Sequence, residues 1–356
     1  MNLTSKERVR AAFTHREPDR VPINYFSNPD IDRRLKQHFR LKQDDHEGLR
    51  QVLNIDFRSV APLYVGPELH PQVPDRRVDL WGRRTRWVEH GESGYWDYCD
   101  FPLKDADVDR MLNYPMPNPD DYDYQVVVEA AKHYKNYWVS AGGAGTGDII
   151  NSTGMLRTME QTLIDLMMDD EACKIYLDRR DAVELEILHR TLEAGKGLID
   201  MVWMGEDLGT QKGPMISKRL YRKQLRPRHQ QYIDCAKSFG LPVIVHTCGS
   251  SSWVYEDFIE MGVDAVDTLQ PEAKDMSPGY LKETFGGRLA FHGCISTTGA
   301  LTFGSPEDVR RDVQKTLAVM MPGGGYALSP THQIQDNSPT ENVLAMYAAA
   351  MEMGKY

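Results

Sequence analysis

The chain has no apolar run approaching the roughly 20 residues that span a bilayer. It also lacks a basic amphipathic stretch suited to a membrane surface. Positive charge is in deficit: 42 Lys and Arg face 52 Asp and Glu, leaving a formal net charge of −10. That balance argues against nucleic acid as a partner, because phosphate binding needs a basic surface. Cysteine is scarce. Five residues, Cys99, Cys173, Cys235, Cys248 and Cys294, are too few and too scattered in 356 residues for a disulfide scaffold. The N-terminal MNLTSKERVRAAF has neither the apolar core nor the cleavage site of a signal peptide. These absences lead to the expectation of a cytoplasmic protein with reduced thiols. The Gly-rich stretch GGAGTGDI (142–149) carries Asp148 where a dinucleotide fingerprint needs a glycine, and it lacks the Lys-Ser/Thr of a phosphate loop. It reads as a tight strand-to-helix turn.

Hydrophobic residues make up 41% of the chain, enough for a sizeable core. Thr4 followed by Glu7 fits a capping box at the start of a helix, which Pro18 and Pro22 bring to an end. A short strand, VPINYF, follows, and residues 28–53 read as helical and charged. Residues 60–125 are proline-rich and aromatic, with WGRRTRW and YWDYCDF as strand-like pieces; they read as an insertion or elaborated loop region. The aromatic 94–101 segment would either cover the barrel or serve as an interface in an oligomer.

From residue 126 onward strands and helices alternate. Strands are expected at 137–143, 198–204, 242–247, 265–270, 288–293 and 325–330. Helices are expected at 126–135, 154–168, 170–196, 217–239, 251–261, 277–284 and 306–319, and from about Pro339. Such alternation implies a parallel sheet with right-handed crossovers. About seven repeats favour an α/β fold of the (β/α)8 TIM-barrel type with an elaborated N-terminal region, spanning 1–356 as a single domain. The strands lack strict alternation, as expected when both faces are buried.

Reactive groups of such barrels sit at the C-terminal ends of strands. Here those ends carry Asn24 and Tyr25, then Glu206 and Asp207, then His246 and Cys248. Asp267 and Gln270, His292 and Cys294, and finally His332 follow. His246 and Cys248 are two apart, so an extended backbone turns both toward one point, and Gly249 lets the chain turn away. With His332 from a later strand end they form a candidate metal site. Cys294 is either a further ligand or an inert residue packed under the mouth. His292 is either a hydrogen-bonded barrel histidine or a group facing substrate. Glu206 and Asp207 are adjacent and point apart; one of them would face the cavity as a ligand or general base, and the other would cap a helix or form a salt bridge. The expected catalytic residues are therefore Asp207, Glu206 and His292. Asn24, Tyr25, Gln270 and Gln211, in the loop after the Glu206–Asp207 strand end, are expected to contact substrate.

Several segments together resemble the uroporphyrinogen decarboxylase superfamily. They are SKERVRAAFTHREPDRVP, GEDLGTQKGPMIS, the HTCGS turn, FHGCIS and GGGYALSPTHQIQDNSPTENVLAMYAAA. The resemblance runs over nearly the whole chain and implies a (β/α)8 barrel. One branch of that superfamily decarboxylates the acetate arms of a tetrapyrrole and carries arginines at the first strand end. Here that end reads INYFSN, without arginine, so this activity is not expected. The other branch comprises zinc-dependent methyltransferases that work with corrinoid proteins. Its zinc ligands are a His-x-Cys pair, matched at His246 and Cys248, and a later Cys, where this chain presents His332. Imidazole suits zinc, but one thiolate and two imidazoles would leave a more positive and more Lewis-acidic ion.

The resemblance therefore implies a zinc-dependent methyltransferase acting on a small methyl donor or acceptor, O-demethylation included. The chain has no corrinoid-binding Asp-x-His-x-x-Gly segment, so the cobalamin would arrive on a partner protein. The alternatives are a decarboxylase or lyase of a small carboxylate, with Asp207 stabilising a protonated intermediate, and a barrel that only binds a ligand.

Overall fold

The computed structural model describes residues 3–90 and 93–356. Seven strands form one parallel sheet in sequential order. They are β1 (Phe57–Val60), β2 (Trp138–Gly142), β3 (Met201–Gly205), β4 (Val243–Thr247), β5 (Ala265–Thr268), β6 (Ala290–Ile295) and β7 (Tyr326–Pro330). The eighth stave is the irregular segment 21–24. Ile23 bridges Leu328 of β7 in parallel, and its carbonyl accepts from the N–H of Asp56 (2.9 Å), just before β1. Both sheet edges are thereby bonded and the barrel is closed. The expected strand VPINYF is thus reduced to this bridge, because Pro22 has no N–H to give to a ladder. The strand FRSV of β1 was not anticipated, since a four-residue piece holding Arg and Ser does not stand out as an apolar run.

Large interior residues lie on one side of the barrel, on β1 to β4, and small ones on the other, on β5 to β7. Ala265, Ala290 and Ala327 leave room for Phe57, Trp138 and Trp203. The floor is closed by helix Ser5–Phe13, whose Val9, Ala12 and Phe13 enter the same cluster. The capping box at Thr4 and Glu7 is present, with bonds of 2.9 and 3.2 Å. A second, larger apolar layer lies between the strands and the surrounding helices. No helix among the described residues is long and apolar enough to cross a membrane.

Two helices expected as single runs are interrupted. The 217–239 helix contains a π-turn at Tyr221–Leu225 before continuing as Arg226–Ser238. Pro227 explains it: the ring offers no N–H and clashes with the carbonyl four residues back, so the ladder must widen. The 154–168 helix is instead two, Ile150–Arg157 and Met159–Met168, parted at Thr158 with φ +73°. In the 60–125 region, Arg84–His90 and Ser93–Cys99 form an antiparallel hairpin, with Arg77–Val78 added alongside. Trp87, Tyr95 and Tyr98 of this hairpin are exposed.

Candidate metal centre and cavity

One layer of the barrel interior carries the polar groups. In the parallel register Asp267 of β5 stands beside His246 of β4 on one side and His292 of β6 on the other. Lateral neighbours point the same way, so the carboxylate meets both rings. Its Oδ2 lies 2.6 Å from His246 Nδ1 and its Oδ1 lies 2.5 Å from His292 Nδ1. Burial pushes the Asp267 carboxyl up, but the two imidazoles outweigh it and hold the group below the usual carboxylate range. The next residue, Thr268, has φ +88°. A β-branched residue there stores strain of roughly 1–3 kcal/mol, a cost that tends to be retained at functional sites.

The two rings have different second partners. The Asn24 amide Nδ2 lies 3.0 Å from His292 Nε2, while Asn24 Oδ1 accepts the Tyr25 N–H at 2.8 Å. The amide orientation therefore makes Nε2 of His292 an acceptor and Nδ1 its donor. His292 is fully buried between the edges of Phe57 and Trp203. It supports the layer from beneath and does not line the cavity.

His246 donates through Nδ1 to Asp267 and turns Nε2 toward Cys248 Sγ, 3.5 Å away. Asp207 completes the group. Its Oδ1 accepts the Cys248 N–H (2.8 Å) and its Oδ2 accepts from Asn151 Nδ2 (2.9 Å). Donor atoms of Asp207, His246 and Cys248 all lie within 4.8 Å of one another. Burial works against a charged ring at His246, yet the Asp267 bond holds its pKa well above the ordinary value. Burial raises the Cys248 thiol, partly offset by His246. Gly249, at φ +72°, turns the chain away, and its missing Cβ leaves room for the Gly209 carbonyl.

The structure therefore brings together two of the three expected metal ligands and adds Asp207 to them. His332 lines the same cavity but stands outside the three-residue donor group. Glu206 turns the other way. It is buried, accepts the N–H groups of Ile149 (2.8 Å) and Ile150 (3.0 Å), and sits 3.2 Å from His229 Nε2. Its task is to cap the Ile150–Arg157 helix from a neighbouring strand end, and burial pushes its pKa up to about 8. Cys294 lies in the outer apolar layer, apart from the donor group. Gln270 and Gln211 contact each other at 3.3 Å, and Gln270 Oε1 accepts the Gly249 N–H at 2.7 Å. They brace the turn after Cys248.

Above the donor layer opens a cavity of about 390 Å³, walled in part by Asn24, Tyr25, Phe26, Phe57, Trp203 and His332. Such a volume is at the small end for ligand pockets, which run roughly 300–1,000 Å³. The buried Trp203 Nε1 has no hydrogen-bond partner among the described residues. Trp203 was missed as a site residue, and Asp267 was read as a strand-end group without a role. The signal for Asp267 was an acid inside the otherwise apolar strand AVDT.

A closed barrel with His, Cys and Asp side chains gathered beside a small cavity at the C-terminal ends of its strands defines a (β/α)8-barrel protein. The chain belongs to the uroporphyrinogen decarboxylase (URO-D) family, whose model matches residues 99–353. Comparison with curated proteins found no match. Among solved structures the chain is similar to a methyltransferase from Methanosarcina mazei. That match has a TM-score of 0.66 and 18% identity, and it covers 98% of this chain and 99% of that one. A D-psicose 3-epimerase solved with D-fructose matches at TM-score 0.33 and 13% identity, over 69% of this chain and 84% of that one.

Proposed function

We propose that this protein is a zinc-dependent methyltransferase that works with a separate corrinoid protein, its substrate a small molecule such as a methoxylated compound. The observation that carries the reading is the Asp267 bridge. By accepting the Nδ1–H of His246 (2.6 Å) it turns Nε2 toward Cys248 and Asp207. Carboxylate–imidazole pairs of this kind fix the tautomer and orientation of metal-ligating histidines. The donor chemistry fits zinc: imidazole, thiolate and carboxylate are all ordinary zinc donors, and the two anions balance its charge. When bound, the ion would supply a Lewis acid for a substrate or leaving-group atom.

The chain's own residues do the rest. Asn24 and Asp267 lock His292, which keeps the carboxylate aimed at His246. Asn151 fixes the Asp207 carboxylate from the far side. The cavity is of a size that admits one small molecule beside His246. That the Methanosarcina mazei neighbour is a methyltransferase supports the reading.

Metal analysis of protein purified without chelators or a metal-binding tag tests it. We expect about one zinc per chain, lost in His246→Ala and Cys248→Ser. A wild-type zinc content near zero removes the proposal.

A further inference from the structure

One charge in the cavity wall is unused by the fold. Arg50, in helix His46–Val52, lines the cavity beside Tyr25 and Asn24. Its guanidinium forms no ion pair or hydrogen bond among the described residues, because nearby carboxylates are already engaged. Glu47, on the same helix, is gripped by Arg58 through two bonds of 2.8 Å. Asp32, which accepts from the Tyr25 hydroxyl, is paired with Lys36 at 2.7 Å. Of the two guanidinium groups in the cavity wall, Arg58 is held by Glu47, and Arg50 is left without a carboxylate among the described residues.

Guanidinium is a planar fork of N–H donors that matches a carboxylate through two parallel bonds. Part of the remaining wall is aromatic, beside polar and small residues such as Ser59, Ser140 and Thr331. Phe26 meets Trp203 edge-on at 5.4 Å, and Phe57 borders the same space. Flat apolar walls favour a flat apolar ligand, and about 390 Å³ holds one substituted ring and no tetrapyrrole.

We propose that Arg50 is a carboxylate-recognition site and that the substrate is a small aromatic acid. Its carboxylate sits on Arg50, its ring lies along Phe57 and Trp203, and its far end faces the His246–Cys248 group. The proposal rests on the reading of that group as the reacting centre and adds to it the class of substrate. The net charge of −10 repels anions in general, so a preference for an acid must come from a local cation.

Calorimetric titration of the full chain with 4-methoxybenzoate and with methoxybenzene, which lacks only the carboxylate, tests this. The acid should bind at least about tenfold tighter, as a charge-assisted bidentate pair implies. Arg50→Gln should abolish that preference while leaving methoxybenzene affinity unchanged, and Arg50→Lys should restore part of it. Equal affinity for the two probes, no binding of either, or an equal loss of both in Arg50→Gln overturns the proposal. Zinc analysis of the same wild-type preparation separates the two readings. A preserved acid preference in a wild-type protein that holds no zinc sinks the methyltransferase alone. Zinc without acid preference sinks the aromatic acid alone. Release of carbon dioxide from 4-methoxybenzoate would uphold Arg50 and replace methyl transfer with decarboxylation.

Discussion

Two buried carboxylates, Asp56 at the floor of the barrel and Asp267 at its mouth, are neutralised in opposite ways. Asp56 is wholly buried and receives Arg8 (2.8 Å), Arg20 (2.8 and 3.0 Å), the Ser5 hydroxyl (2.7 Å) and the Ile23 N–H (2.9 Å). Its partners are permanent cations and fixed dipoles, and every lone pair is occupied. Asp267 is also buried but borders the cavity, and its strong partners are two imidazoles, one of which turns its other nitrogen toward Cys248. The floor is saturated and so holds the fold. The mouth is left with unspent lone pairs and so can bind. The division follows the general one in barrels, in which the N-terminal face carries stability and the C-terminal face carries chemistry.

The sharpest way to break this contrast is Asp56→Ala. It strands two arginines at a buried site and should destabilise the protein by about 3–5 kcal/mol, read from urea unfolding, with zinc per folded chain unchanged. If metal content fell while stability held, the floor and mouth would have been misassigned. Next in size is Asp267→Asn. It should weaken zinc binding about 10–100-fold in a chelator competition, with a smaller loss of stability than Asp56→Ala. An unaltered affinity would mean that His246 needs no help in facing its partners.

The smallest effect concerns pH. Asp19 pairs with Arg8 at 2.7 Å, and although burial pushes its carboxyl up, the Arg8 bonds hold it below the ordinary value. In acid the unfolded chain therefore takes up this proton before the folded one does. The stabilisation is present above the unfolded pKa, near 4, and is lost as pH falls through the lower folded value. Asp19→Asn should flatten that acid limb of the urea midpoint while leaving zinc affinity at pH 7 alone. An equally steep limb in the variant would assign the acid sensitivity elsewhere.

How much of this was legible in the amino-acid order depends on the kind of signal. Apolar strands ending in His and Cys are local patterns, and they located both the barrel and the His246–Cys248 pair. The role of Asp267 rests on register: only when β4, β5 and β6 lie side by side does its carboxylate meet two rings. The opposite turns of Glu206 and Asp207 were foreseeable from adjacency, but which faced the donors was decided by the N–H groups of Ile149 and Ile150. Arg50 was invisible for a related reason. A lone arginine on a polar helix looks solvated until the pairings of Glu47 and Asp32 are known. Helix interruptions at Thr158 and near Pro227 escaped because periodicity continues across them while the backbone does not.

The helix that plugs the floor has a consequence for how the chain is made. Val9, Ala12 and Phe13 pack with Ala290 and Ala327, and the Gly325 N–H bonds to the Ala12 carbonyl at 2.8 Å. This helix thus has its seat built from strands that are synthesised long after it. Contacts so distant along the chain close slowly, so the nascent helix must wait, with its apolar stripe uncovered, until β6 and β7 have been made. Chaperone dependence during synthesis should accordingly centre on residues 5–13.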